Sequence, residues 1–184
     1  MNAIDSFRSA AYNVALKQMF RIPPERIHGL MSRGLECVSS SEAAQAVLRK
    51  LFVVDEPSLA QDIAGIHFPR PLGLAAGFDK DAKELNAWGP LGFGYAEVGT
   101  LTSINQPGNP TPRLFRLPAD RAILNRMGFN NEGITAATQR LRIRTTPEPI
   151  GVNLGKWKRT DAAVAHNDYR NSAQTVGDAA DYLV

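Results

Sequence analysis

The sequence predicts an α/β fold in which parallel strands are joined by crossover helices, behind a helical N-terminal stretch. Two observations predict it. From Leu72 onward, strand-like and helical segments follow in the order β, α, β, long loop, α, β, α, β, the alternation expected of parallel strands with crossover helices. The strand-like runs around residues 72–76, 95–100 and 150–154 are short, and the first, Leu72-Gly73-Leu74-Ala75-Ala76, shows no polar alternation. That is the pattern of strands buried on both faces.

Taken in order, residues 4–20 form an amphipathic helix, with Phe7, Ala11 and Val14 on its apolar side and Arg8, Lys17 and Arg21 flanking it. Pro23-Pro24 ends that helix and starts a second, with Glu25 in its first turn. It runs to about Cys37 and carries Ile27, Leu30, Met31 and Leu35 at helical spacing. A serine link at residues 39–41 leads to a third helix over 42–51. Ile63, Ile66 and Phe68 around Gly65 read as a short hairpin within residues 59–71. Helices are expected over 81–88, 132–142 and 161–180, and a fourth strand at 182–184.

Composition narrows the function classes. The 184 residues are 43% hydrophobic, which suits a globular core. The net charge of +3 is spread along the chain without a basic block carrying aromatics, so nucleic acid is not an expected partner. A single cysteine, Cys37, forms no disulfide within the chain and fits a reducing compartment. His28, His67 and His166 lack metal-ligand spacing, so no metal is expected. No apolar run approaches the roughly 18 residues of a membrane span, so any membrane contact is expected to be peripheral.

The strand ends carry the chemistry. After the first strand comes Ala76-Gly77-Phe78-Asp79-Lys80, after the second Gly99-Thr100, after the third Asn153-Leu154-Gly155-Lys156. Ligands of parallel α/β folds bind at the C-terminal ends of strands, so Lys80, Thr100, Asn153 and Lys156 are expected to converge on one mouth. Gly77 and Gly99 let the backbone approach a flat ligand closely. The run Asn125-Arg126-Met127-Gly128-Phe129-Asn130-Asn131 adds three amide side chains around a glycine and an aromatic wall. Amides donate and accept at once, which suits a planar heterocycle bearing N–H, C=O and carboxylate groups. No Gly-x-Gly-x-x-Gly or Walker-type motif follows a strand, which disfavours those styles of nucleotide binding.

Six segments in order, from Pro71 to Asp81, Glu97-Val-Gly-Thr100, Gln106-Pro-Gly-Asn109, Pro112-Arg-Leu-Phe-Arg116, Asn125 to Asn131 and Gly151 to Lys156, together resemble the quinone-dependent (class 2) dihydroorotate dehydrogenases. Pro24-Glu25-Arg26-Ile27-His28 extends the likeness. The resemblance implies the first half of a (β/α)8 TIM barrel over residues 53–184, preceded by a small helical, membrane-associated domain over residues 1–52. It also implies FMN as cofactor and oxidation of (S)-dihydroorotate to orotate in pyrimidine biosynthesis, with a membrane quinone as acceptor. The protein would lie peripherally on the cytoplasmic face of the cell membrane. By motif, Ala76, Gly77, Phe78, Asp79, Lys80, Thr100 and Asn153 are implied FMN contacts. Lys80, Asn125, Arg126, Met127, Gly128 and Phe129 are implied substrate contacts, and His28 and Arg116 are implied quinone-site residues. The family's general-base serine is expected beyond Val184, so residues 1–184 alone are expected to be inactive. A half-barrel binding module without chemistry, and a flavin enzyme of the same barrel type with another substrate, are the competing readings.

Overall fold

A computed structural model describes residues 12–184; the expected helix over 4–20 lies partly outside the described residues, and residues 12–19 of it are helical. Helix α1, Pro24–Ser39, starts on the Pro-Pro pair, and Glu25 in its first turn favours the positive helix end. The Ser41 side chain caps α2, Glu42–Phe52, by accepting from Ala44 N. The two helices lie against the body of the molecule with Leu35 buried and Leu30, Met31, Val47, Leu51 and Phe52 left exposed.

The expected hairpin is present as β1, Gln61–Ile63, paired antiparallel with β2, Ile66–Phe68. Ala64 and Gly65 both take positive φ in its two-residue turn, the geometry that matches the strands' right-handed twist.

Four parallel strands then form one sheet in the order β3-β4-β7-β8: β3 is Gly73–Leu74, β4 is Tyr95–Thr102, β7 is Ile150–Gly155 and β8 is Tyr182–Leu183. The two central strands are the most buried. Ala96, Val98 and Leu101 of β4 and Ile150 and Val152 of β7 are at most 1% exposed and form the centre of the core. Helix α3, Leu85–Trp88, helix α4, Ile134–Arg142, and helix α5, Ala165–Val176, supply Leu85, Trp88, Ile134, Leu141 and Val176 to the same core. Full burial of such a side chain contributes about 1.5–3 kcal/mol, so this small group carries much of the fold.

Three expectations are corrected. The first barrel strand is two residues long rather than five, because the chain bends after Leu74 across the end of β4: Gly77 N donates to Gly99 O, and Gly99 N to Asp79 O. The helix expected over 81–88 begins only at Leu85, because the Asp79 carboxylate accepts from the amides of Lys83 and Glu84 and holds the intervening residues in a turn. The long loop between β4 and α4 contains an antiparallel hairpin, β5 (Leu114–Leu117) with β6 (Ala122–Asn125), in which Leu114 pairs with Asn125. Asn125 is therefore a strand-end residue.

Candidate functional site

The C-terminal ends of β3, β4 and β7 meet as expected. Thr100 Oγ1 donates to Asn153 Oδ1 across the two central strands. Beside them runs the 76–80 loop, hydrogen-bonded to both sides of Gly99. Gly99 has φ +105°, and a Cβ there would strike the Asn153 carbonyl, so only glycine lets β4 and β7 approach this closely. Gly77 also has positive φ, +109°, but a Cβ on it would meet nothing within 4 Å. Its open side is the kind of bare backbone surface a flat ring system can lie against.

Lys80 closes the arrangement. Its Nζ donates to Asn130 Oδ1 at 2.9 Å and lies 4.0 Å from Met127 Sδ, so the loop after β3 and the run after β6 are joined through one amine. Burial, helped by the Arg113 guanidinium, pulls the Lys80 pKa below the usual lysine value, with Asp81 and Glu25 acting the other way. A half-buried cation with one neutral partner is suited to an anionic or electron-rich ligand.

The 125–131 run divides by role. Asn125 Oδ1 accepts from Met127 N and folds the chain back at the end of β6. Met127 is 5% exposed beneath Lys80, and its carbonyl accepts from Asn109 N. Gly128, with φ +73°, and the exposed Phe129 line a cavity of about 690 Å³ with Gln106, Asn109, Trp157 and Lys158. Arg126 is exposed; its backbone amide donates to Arg113 O and its carbonyl accepts from Asn109 Nδ2. Asn131 is buried and holds the frame instead: its Nδ2 donates to Thr102 Oγ1 and Phe129 O, while its Oδ1 accepts from Thr102 N and Gly133 N.

Lys156 does not join the mouth: its Nζ donates to the carbonyls of Trp157 and Thr160 within its own loop. The sequence places Asn130 in the amide run and Gln106 in a motif but gives neither a contact role; Asn130 is the partner of Lys80, and Gln106 Nε2 donates to Phe129 O while its Oε1 accepts from Lys158 N. The adjacency of Asn130 to Asn131 and the Gln106-Pro-Gly-Asn109 motif were the signals available for them.

His28 and Arg116 occupy separate places. The His28 ring lies edge-on to Phe78 at 4.8 Å, directly against the 76–80 loop. Burial first, then the Lys80 charge, lower its pKa, opposed by Glu25, so the imidazole is favoured in its neutral form. Arg116 projects from β5, donates to the carbonyls of Phe20 and Ile22 (3.2 and 2.7 Å) and stacks on the Phe20 ring at 4.9 Å. It borders an apolar cavity of about 500 Å³ lined by Phe20, Pro24, Leu117, Pro118 and Ile123. His28 is not among the residues lining that cavity.

With this geometry in place, the comparisons decide the family. A family model described as dihydroorotate dehydrogenase matches residues 58–184. The chain belongs to the dihydroorotate dehydrogenase family. It is 54% identical over 177 residues to a dihydroorotate dehydrogenase (quinone) of Corynebacterium glutamicum, covering 96% of this chain and 48% of that relative. It is likewise 54% identical to the protein of the same name from Mycobacteroides abscessus, over 94% of this chain and 49% of the relative. The chain thus spans about half the length of the curated relatives it matches. Crystal structures of DHODH from Eimeria tenella, in complex with ferulenol and ligand-free, superpose with a TM-score of 0.65 at 39% and 40% identity. They cover 78% and 77% of this chain and 42% of theirs. The four parallel strands are accordingly part of a TIM-type barrel.

Proposed function

We propose that this chain supplies the flavin- and substrate-facing half of a quinone-dependent dihydroorotate dehydrogenase that oxidises (S)-dihydroorotate to orotate in pyrimidine biosynthesis. The observation that carries the reading is the meeting of Gly77, Lys80, Thr100, Asn153 and the 125–131 run at one end of the parallel sheet. Ala76, Gly77, Phe78, Asp79, Lys80, Thr100 and Asn153 would hold FMN. The open face of Gly77 and the half-buried Lys80 fit a flat, electron-rich ring. Bound there, FMN would accept the two electrons that leave the substrate. Lys80 and Asn125 to Phe129 would bind and orient dihydroorotate, whose carboxylate, C=O and N–H groups match an amine beside amides.

Residues 1–52 are read as a helical unit resting peripherally on the cytoplasmic face of the membrane. Among the described residues, no helix is long and apolar enough to cross it. Val14, Phe20, Leu30, Met31, Val47 and Leu51 are exposed, as an interfacial apolar face requires. Arg116 and the apolar cavity beside Phe20 would receive the quinone, with His28 a second polar group closer to the loop at Phe78.

The test is flavin and orotate binding by the protein containing this segment. Co-purifying FMN whose visible spectrum shifts on adding orotate, with Asn125→Ala weakening orotate at least tenfold, is the expected result. FMN retained with no response to orotate points to another substrate. Neither ligand bound, with the N-terminal helices still sedimenting with vesicles, points to a non-catalytic module.

A further inference from the structure

A pair of buried carboxyl groups lies between the N-terminal helices and the 76–80 loop. Glu84 is 2% exposed and Asp79 is 1% exposed. Ser32 Oγ on α1 donates to Glu84 Oε1. Glu84 Oε2 is fully buried with no donor around it. Asp79, in contrast, accepts from Lys83 N at 2.8 Å, Glu84 N at 3.0 Å and Trp88 Nε1 at 3.3 Å. No cation is paired with either acid among the described residues; the neighbouring Lys83 turns outward to Glu132.

Two adjacent buried carboxylates without a counter-ion do not both stay ionised. The three donors sit on Asp79, so Asp79 takes the charge and Glu84 the proton. A proton on the Glu84 carboxyl supplies the donor for the side-chain hydrogen bond that links it to Asp79. Burial raises both acids. For Glu84, the Asp79 charge and the more distant Glu36 on α1 add to it and the Ser32 hydrogen bond opposes it, leaving its pKa at about 8. Other titratable groups around the junction include His28 on α1, favoured neutral, Lys80 and Asp81 on the loop, and Arg140 on α4, the last bonded to Asp81 O and Glu132.

We propose that Glu84 is a positioning residue: protonated, it clasps Asp79 of the 76–80 loop to Ser32 of helix α1, setting the placement of Phe78 and Lys80 and tying that loop to the N-terminal helices. The loop is then fixed from two sides, by Gly99 N on the Asp79 carbonyl and by the clasp on its carboxylate. Ionisation of Glu84 places a second negative charge against Asp79 and loosens its hold on the Lys83 and Glu84 amides and on Trp88. The clasp stands on the burial of both acids and on the hydrogen bonds around them; only its value for ligand binding rests on the proposed function.

The 184-residue chain carrying Trp157→Phe leaves Trp88 as the single tryptophan. Its emission should titrate between pH 6 and 10 with one midpoint near 8. Amide exchange over residues 79–84, corrected for intrinsic rates, should accelerate about tenfold above that midpoint. Glu84→Gln keeps a donor and an acceptor, so it should preserve the neutral-pH spectrum and abolish both transitions. Ser32→Ala removes a bond to the ionised form and should move the midpoint upward. An unchanged titration in Glu84→Gln, or none in the parent, overturns the clasp. FMN and orotate binding measured at pH 7 on the same proteins separates the two readings: the Trp88 transition without flavin keeps the clasp and sinks the function, and the reverse keeps the function alone.

Discussion

Glu84 and Glu148 are both almost fully buried, at 2% and 4% exposure, and both fasten an N-terminal helix to the barrel part, yet they hold opposite protonation states. Glu148 precedes β7 and receives Arg49 of α2 at 3.1 Å, Arg70 at 2.8 Å and the Thr146 hydroxyl. Burial alone would raise its pKa, but these partners overcome it and the value falls below the ordinary carboxylate range. Glu84 meets a serine and another acid, and burial prevails. Burial sets how strongly a carboxyl is coupled to its surroundings; the partners decide which form is stabilised.

The strongest test of this contrast removes the charged member. Glu148→Ala leaves Arg70, with a side chain only 11% exposed, buried without its closest counter-ion, and should destabilise the chain by about 3–5 kcal/mol in chemical denaturation. Glu84→Gln, which replaces a neutral acid by a neutral amide, should stay within about 1 kcal/mol at pH 6. Equal losses in the two variants would break the comparison.

The pH dependence sharpens it. The pKa of Glu148 is lowered on folding, so its contribution is present above the ordinary value of 4.5 and disappears as pH falls through the lower folded value. That of Glu84 is raised, so its contribution is complete below 4.5 and is lost as pH rises through about 8. Denaturation midpoints measured from pH 3 to 9.5 should fall at both ends. Glu148→Gln should flatten the acid limb and Glu84→Gln the alkaline limb.

Three further ion pairs, at two places, grade the effect by exposure. Arg113 reaches Glu25 of α1 at 2.7 Å with side chains 14% and 28% exposed, and Arg113→Ala should lose about 1.5–3 kcal/mol. Glu132 bridges Lys83 and Arg140 but is 43% exposed, and Glu132→Ala should lose less than about 1 kcal/mol in the same assay.

Local pattern carried much of this molecule. The Pro-Pro helix start, the 63–66 hairpin and the short strands 95–100 and 150–154 were legible because each reports its own period and punctuation. The strand-end residues Lys80, Thr100 and Asn153 were legible as a convergent group because parallel topology places strand C-termini on one side. The β5–β6 hairpin was not: Leu114-Phe115-Arg116-Leu117 and Ala122-Ile123-Leu124-Asn125 acquire strand character only by pairing with each other. Lys156, similar in type to Lys80, turns into its own loop, where its amine donates to the carbonyls of Trp157 and Thr160.

By itself, the sequence determined the α/β alternation, the barrel family and the cluster of glycine, lysine and amide residues at the strand ends. These follow from short-range periodicity and from motifs whose spacing is linear in the chain. Only the tertiary structure decided which amide faces Lys80, that His28 touches Phe78 rather than the cavity beside Arg116, and that one buried glutamate is charged while the other is neutral. Those outcomes depend on groups 50 or more positions apart, as Ser32 is from Glu84 and Arg70 from Glu148. A side chain's charge and direction are set by what surrounds it in space.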